Sequence, residues 1–176
     1  MEVLLYHNMG KNAMDQQKLN ALLAQVVEQA RQAGIPVSGE ICPEVRINRR
    51  AKNRFGGCCR REGRFVIELS QRLLEAEEEA VRRVLAHEVL HTCKGCANHG
   101  AKWSAWAGVM NRRYGYGIAR TDTFEHLGLE DDRVMKYAVV CEACGSRHLR
   151  MKRSPLVDHP ERYRCKCGGR LRVERC

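Results

Sequence analysis

No stretch of this sequence approaches the roughly 20 consecutive apolar residues that a membrane-spanning helix requires, although apolar residues make up 44% of the chain. No membrane partner is therefore expected. The opening residues Met1-Glu2-Val3-Leu4-Leu5-Tyr6 lack a basic start, a long apolar run and a small-residue cleavage site. A cytoplasmic chain without a secretory leader is the expectation. Internal repeats and low-complexity tracts are missing too, which sets aside repeat architectures. Carboxylates are scarce in the C-terminal quarter. From Arg133 to Cys176, 12 Lys/Arg face 4 Asp/Glu, a net of +8, whereas the preceding 132 residues hold 19 against 17, a net of +2. The overall charge of +10 thus belongs to the C-terminal quarter. A basic patch confined to one module suits a polyanion such as nucleic acid, or else a solubilising surface.

What is present is ordinary in bulk and unusual in its cysteines. A chain of 176 residues can fold one domain with a sizeable core and a small appendage. Ten cysteines in a reducing compartment are more readily metal ligands than disulfides. They cluster as Cys93 with Cys96, and as Cys141 with Cys144 followed by Cys165 with Cys167; Cys42, Cys58, Cys59 and Cys176 are scattered.

The spacing of Leu19, Leu22, Leu23, Val26, Val27 and Ala30 predicts a helix from about Met14 to Ala33, stopped by Gly34 and Pro36. Alternation over Glu44–Asn48 and Phe65–Leu69, with a further strand at Arg54–Cys59 and a turn at Arg61-Glu62-Gly63-Arg64, predicts a small antiparallel sheet. Ser70 reads as a helix cap, and Glu75 to Glu79 load the next helix start with the negative charge its dipole favours. That helix should continue from Ala80 to about Thr92. Another follows from Gly100 to Arg113, with Trp103, Trp106, Val109 and Met110 facing inward. Tyr114 to Asp132 reads as an irregular connection. Tyr114 and Tyr116 have hydroxyls that could serve an oxyanion, though aromatic packing is the expected use.

The sequence His87-Glu88-Val89-Leu90-His91 carries the chemistry. Residues four apart share one face of a helix, about 5–6 Å from each other, so both imidazoles can reach one tetrahedral Zn²⁺ at about 2.0–2.1 Å. Zinc brings the pKa of a bound water towards ~7, where the adjacent Glu88 can take its proton. The flanking Val84-Leu85-Ala86 and the internal Val89-Leu90 make the helix a buried one, where three unpaired polar side chains would be costly. A catalytic zinc needs a third protein ligand and an open position. His99 is the preferred third ligand, at the start of the next helix; Glu125 and Glu130 are the competing candidates.

Arg54-Phe55-Gly56, Ile67-Glu68-Leu69-Ser70, the H-E-x-x-H segment and His99-Gly100-x-x-Trp103, followed by a cysteine module, resemble the SprT-like metalloproteases, from about Val45 to the C-terminus. The resemblance implies a zincin-like fold, His87, His91 and His99 as zinc ligands, and Glu88 as catalytic base. Less directly, it implies proteolysis associated with DNA, because the family includes a protease acting on DNA–protein crosslinks. A shared fold does not fix the substrate.

Cys141-x-x-Cys144-Gly145 is a zinc knuckle, and Cys165-Lys166-Cys167-Gly168-Gly169 lies where its partner should, though with one residue between the cysteines instead of two. Cys176 is a spare ligand for this structural zinc. Around the knuckles Arg147, Arg150, Lys152, Arg153, Arg164, Lys166, Arg170 and Arg172 are candidates for salt-sensitive phosphate contacts. Cys93 and Cys96 read as small residues packed beneath the active site, with a second metal clip shared with Cys58 or Cys59 as the alternative. His7, His126, His148 and His159 have no partner spacing and read as surface residues.

The expectation is an α+β protein. Residues 1–132 would form a zincin-like metalloprotease domain of helices packed on a small antiparallel sheet, and residues 133–176 a basic zinc ribbon. It would carry one catalytic and one structural zinc, and act as an endopeptidase on DNA-associated proteins. The alternatives are a nucleic-acid-binding adaptor with structural zinc only, or hydrolysis of a small amide.

Overall fold

The amphipathic stripe near the N-terminus forms α1, Gln16–Gln32, in a computed structural model that describes residues 14–176. His7 and the segment read for a leader lie outside the described residues. Asp15 starts the helix by accepting the Lys18 backbone N–H at 2.7 Å, which satisfies one of the orphan donors of a helix start. Gly34 ends it at φ +75°, a left-handed conformation that costs other residues a Cβ clash. Leu19, Leu22, Leu23, Val26, Val27 and Ala30 are all buried, against a second helix, α2, Glu78–Leu90. Each fully buried Leu or Val contributes roughly 1.5–3 kcal/mol, so this contact anchors the first unit's core.

Three short strands lie beside α2: β1, Arg46–Asn48; β2, Gly56–Arg61; and β3, Arg64–Ser70. Glu62 (φ 48°) and Gly63 (φ 81°) make the two-residue turn joining β2 to β3, a positive-φ pair that matches the twist of a tight hairpin. The strand order is β1-β3-β2, with β2 antiparallel and β1 parallel to β3. This corrects the purely antiparallel pairing expected for β1. The tight hairpin occupies one edge of β3, so β1 takes the other edge, and residues 49–55 must arch over the C-terminal end of β3 to reach β2. The end of β3 holds that arch: the Ser70 hydroxyl donates to the Ala51 carbonyl at 2.9 Å, and the Ser70 N–H to the Phe55 carbonyl at 2.8 Å. Ser70 is therefore not the expected side-chain cap. It precedes a 3-10 turn, Gln71–Glu75, but its hydroxyl is committed to the arch.

A loop after α2 leads to α3, Ala101–Tyr114, which buries Trp103, Ala107 and Met110 and leaves Trp106 and Val109 partly exposed. Gly115, at φ +70°, closes α3. The stretch that follows has one 3-10 turn, Glu125–Leu127, and side chains hold it in place. Asn111 both donates to and accepts from the backbone of Ile118, at 2.9 and 2.7 Å. Arg83 donates to the carbonyls of Tyr116 and His126.

The chain divides into two compact units, the first ending at Glu130 and the second running from Asp131 to Cys176. The second unit is a three-stranded antiparallel sheet of order β5-β4-β6, with β4 at Tyr137–Cys141, β5 at Arg147–Arg150 and β6 at Leu171–Arg175. A one-turn helix, α4, Pro155–Asp158, lies between β5 and β6. Among the described residues no helix is long and apolar enough to cross a membrane.

Candidate metal centres

His87 sits on the last turn of α2, and His91 is its C-terminal cap. The loop from Thr92 returns so that His99 stands immediately before Gly100, the residue that starts α3. Three ring nitrogens converge: His87 Nε2 lies 3.3 Å from His91 Nε2 and 2.8 Å from His99 Nε2, and the last two are 3.1 Å apart. The orientation of two rings is set from behind. His87 Nδ1 is 3.0 Å from the Ala119 carbonyl, and His91 Nδ1 is 2.7 Å from the Cys96 carbonyl. A carbonyl only accepts, so each Nδ1 carries the proton and donates, and each Nε2 presents a lone pair. Lone pairs converging at this range repel unless a cation lies between them. Tetrahedral ligands at about 2.0–2.1 Å would stand about 3.3–3.4 Å apart, so the cluster is close to that geometry and slightly contracted. Burial, then the neighbouring His91 and His99, pushes His87 down to about 4; His99 is lowered by burial, His91 and Arg120. Both favour the neutral, metal-ligating form. Beneath all three rings lies Trp103, with centroid separations of 4.7, 5.7 and 4.5 Å to His87, His91 and His99.

Glu88 is 8% exposed, and burial pushes its carboxyl up to about 8, with Arg54 acting in the opposite sense. It lies against β2, where a Cβ on Gly56 would fall 2.6 Å from Glu88 Oε1 and 2.7 Å from a Val84 methyl. Glu88 and the three histidines line a cleft of about 280 Å³ whose walls include Arg54, Phe55, Gly56 and Arg120. Phe55 is braced edge-on by Phe124 at 4.8 Å.

The competing third ligands are absent from this group: Glu125 and Glu130 are exposed and lie outside the convergent cluster. Tyr114 and Tyr116 do not line the cleft. Their hydroxyls donate to the Gln29 carbonyl and to Gln29 Oε1 on α1. Cys93 and Cys96 are buried in the apolar core, 3% and 0% exposed. Burial pushes Cys93 up to about 12, and burial followed by the Glu88 charge does the same for Cys58. Among the described residues no metal-holding group includes Cys93, Cys96 or Cys58. Sequence reasoning missed the two carbonyls that orient the rings, which no local pattern encodes. It also missed the contact of Gly56 with Glu88, for which the Arg54-Phe55-Gly56 segment was the available signal.

The second candidate centre joins Cys141, Cys144, Cys165 and Cys167, whose sulfurs all lie within 4.8 Å of one another. Cys141 Sγ is 3.5 Å from Cys167 Sγ, and Cys144 Sγ is 3.6 Å from Cys165 Sγ. Four sulfurs at about 2.3 Å from one zinc would be spaced by about 3.8 Å. Ser146 Oγ stands 3.3 and 3.4 Å from the sulfurs of Cys144 and Cys165. Its hydroxyl pulls Cys144 down to about 6 and lowers Cys165 also, whereas at Cys167 a backbone hydrogen bond from Gly169 is outweighed by the neighbouring Cys144, Cys141 and Cys165, which push it up to about 12. The short Cys165–Cys167 knuckle closes because Gly168 takes φ +85° and Gly169 leaves room: a Cβ there would meet Ala143 Cβ and Cys141 Sγ, each at 2.7 Å. Cys176 is exposed and outside the group. Of the eight basic candidates on this unit, Arg147 and Arg172 pair with Glu174, and Arg153 pairs with Asp158. Arg150, Arg164 and Lys166 line a concavity of about 520 Å³ with Tyr163 and Leu171. Lys152 and Arg170 are exposed.

A buried helix bearing H-E-x-x-H, a third histidine from the following helix start and a small flanking sheet define a zincin-like, metalloprotease-like protein. The model of the SprT-like family matches residues 19–123, and the chain belongs to that family. No curated protein matches the chain.

Proposed function

We propose that this protein is a zinc-dependent endopeptidase, with Glu88 as its base, and that the basic second unit brings it to protein on DNA. The observation that carries the reading is the convergence of three Nε2 atoms beside a buried carboxyl group in an open cleft. A donor set of neutral imidazoles suits zinc, and zinc there would supply a Lewis acid that activates water and polarises a carbonyl. His87, His91 and His99 would hold it. Glu88 Oε1 and Oε2 would accept the proton of the attacking water and return it to the leaving amine nitrogen. Burial of Glu88 shields it from the bulk water that would weaken these interactions. The four-thiolate group would hold a second, structural zinc. Arg150, Arg164 and Lys166, which line a concavity with Tyr163 and form no ion pair among the described residues, support contact with a phosphate backbone.

The test is Glu88→Gln in the full chain, assayed on a DNA-binding protein with and without DNA. Cleavage should fall by at least about 10²-fold, the scale of a lost general base, while metal analysis still finds two zinc atoms per chain. Equal degradation by wild type and variant would sink the peptidase reading. Cleavage indifferent to DNA would sink the DNA-directed part alone.

A further inference from the structure

Between Arg46 and Arg61 the sequence carries seven cations, Arg46, Arg49, Arg50, Lys52, Arg54, Arg60 and Arg61, and no carboxylate. The rest of the first 132 residues has 12 cations against 17 carboxylates, so the near-neutral total of this region hides a local concentration of positive charge. The fold gathers that charge further. Residues 49–55 arch over the end of β3, pinned by the two hydrogen bonds from Ser70, and β1 and β2 bring Arg46 and Arg61 to either side. One buried carboxylate sits at the centre: Glu68, 7% exposed, lies 3.8 Å from Arg46, 3.0 Å from Arg54 and 3.3 Å from Arg61, and accepts from Asn48 Nδ2 at 3.1 Å. A single negative charge cannot neutralise three guanidinium groups. It orients them, while more than half of each side chain stays exposed. Arg49 and Arg50 are exposed and form no ion pair among the described residues.

We propose that this arginine arch is a phosphate-binding site for nucleic acid, built into the catalytic unit and leading to its cleft. Five arginines, Arg46, Arg49, Arg50, Arg54 and Arg61, line one open concavity of about 570 Å³. Arg54 also lines the cleft that holds Glu88 and the three histidines. Guanidinium forks match phosphate oxygens, and several of them spread along one surface match an anion that repeats. An acidic peptide fits less well, because its carboxylates do not recur at the regular spacing of a phosphodiester backbone, and Ile47 is the only apolar side chain lining the concavity to help anchor it. The anion site stands on the first unit alone; the choice of nucleic acid as the polyanion leans on the reading of the second unit. A strand held here would keep protein attached to it at the mouth of the cleft.

The experiment measures binding of a labelled single-stranded oligonucleotide to the full zinc-loaded chain across a series of salt concentrations. Arg49→Gln/Arg50→Gln is compared with Arg49→Lys/Arg50→Lys and with Arg164→Gln/Lys166→Gln in the second unit. Loss of two phosphate contacts should weaken binding and lower the slope of log K against log salt by about 1.4, at about 0.7 per contact for single strands. The lysine pair should keep the slope. Thermal unfolding should stay at the wild-type midpoint, since both arginines are exposed. An unchanged affinity and slope in the glutamine pair overturns the proposal. A raised KM for acidic peptides with oligonucleotide binding untouched overturns it in favour of a peptide subsite. If the second-unit variant binds as wild type and the arch variant does not, the reading of the second unit fails while this one stands.

Discussion

Gly56 shows how narrow the tolerance around the reacting groups is. Any side chain there would occupy the position of Glu88 Oε1 or of a Val84 methyl. Val84 is buried on α2 and has nowhere to go, so Glu88 must yield. Gly56→Ala should therefore lower kcat by about 10²-fold, the scale on which a displacement of about 1 Å acts. The zinc content should be unchanged, because the atoms nearest the added methyl belong to Glu88 and Val84 and not to the three histidines. Steady-state kinetics with metal analysis on the same preparation checks this. Wild-type kcat in the alanine variant would show that the seat of Glu88 against β2 does not matter. At this scale the sequence was most legible: the interval between His87 and His91 fixes a shared helix face, and His99 follows from the need for a third ligand. The carbonyls of Ala119 and Cys96 were hidden, because any residue has a carbonyl and only the fold selects which two stand behind the rings.

The elements divide along the same line. Helices α1, α2 and α3 were legible because their period is local: Leu19 to Ala30 repeats on one face, and glycines 34 and 115 end two of them with positive φ. The partner of β1 was not legible, since alternation reports that a strand is half-buried and says nothing of direction or neighbour. Ser70 has the residue type of a cap, but tertiary context gave its hydroxyl to Ala51 instead. The tight Cys165–Cys167 knuckle looked like a departure from the usual ribbon, and Gly169 accounts for it. That glycine carries the prediction at this scale. Gly169→Ala would place a methyl 2.7 Å from Cys141 Sγ and 3.4 Å from Cys167 Sγ, forcing two proposed ligands apart. The variant should hold one zinc where the wild type is expected to hold two, or surrender the second to a chelator far sooner, with the proposed peptide-bond cleavage in the first unit unaffected. Two zinc atoms released at the wild-type rate would show that the knuckle absorbs the methyl without strain.

In the whole molecule the two units rest on different sources of stability. The first has a continuous apolar core running through α1, α2, α3 and β3, including Leu19, Leu23, Leu69, Leu85 and Met110, and its three histidines lie at the edge of that core. The second, Asp131 to Cys176, buries only Ala138, Val139, Val157 and Cys141 among its apolar residues. Units this small rarely fold on an apolar core alone, and metal binding then supplies folding free energy directly. Chelation should accordingly act on the units unequally. Amides of β4, β5 and β6 should lose their protection from hydrogen exchange and their chemical-shift dispersion, while those of α1 and α2 remain protected and the helical circular dichroism largely persists. Re-addition of zinc should restore the strands. Loss of protection in both units together, at the same chelator concentration, would mean that the imidazole site is also needed to hold the first unit folded. Persistence of the strands without metal would mean that the four cysteines are not what keeps the second unit together. The unequal response follows from one contrast: the metal of the first unit would sit on a core that already exists, whereas in the second the thiolates stand where a core would have to be.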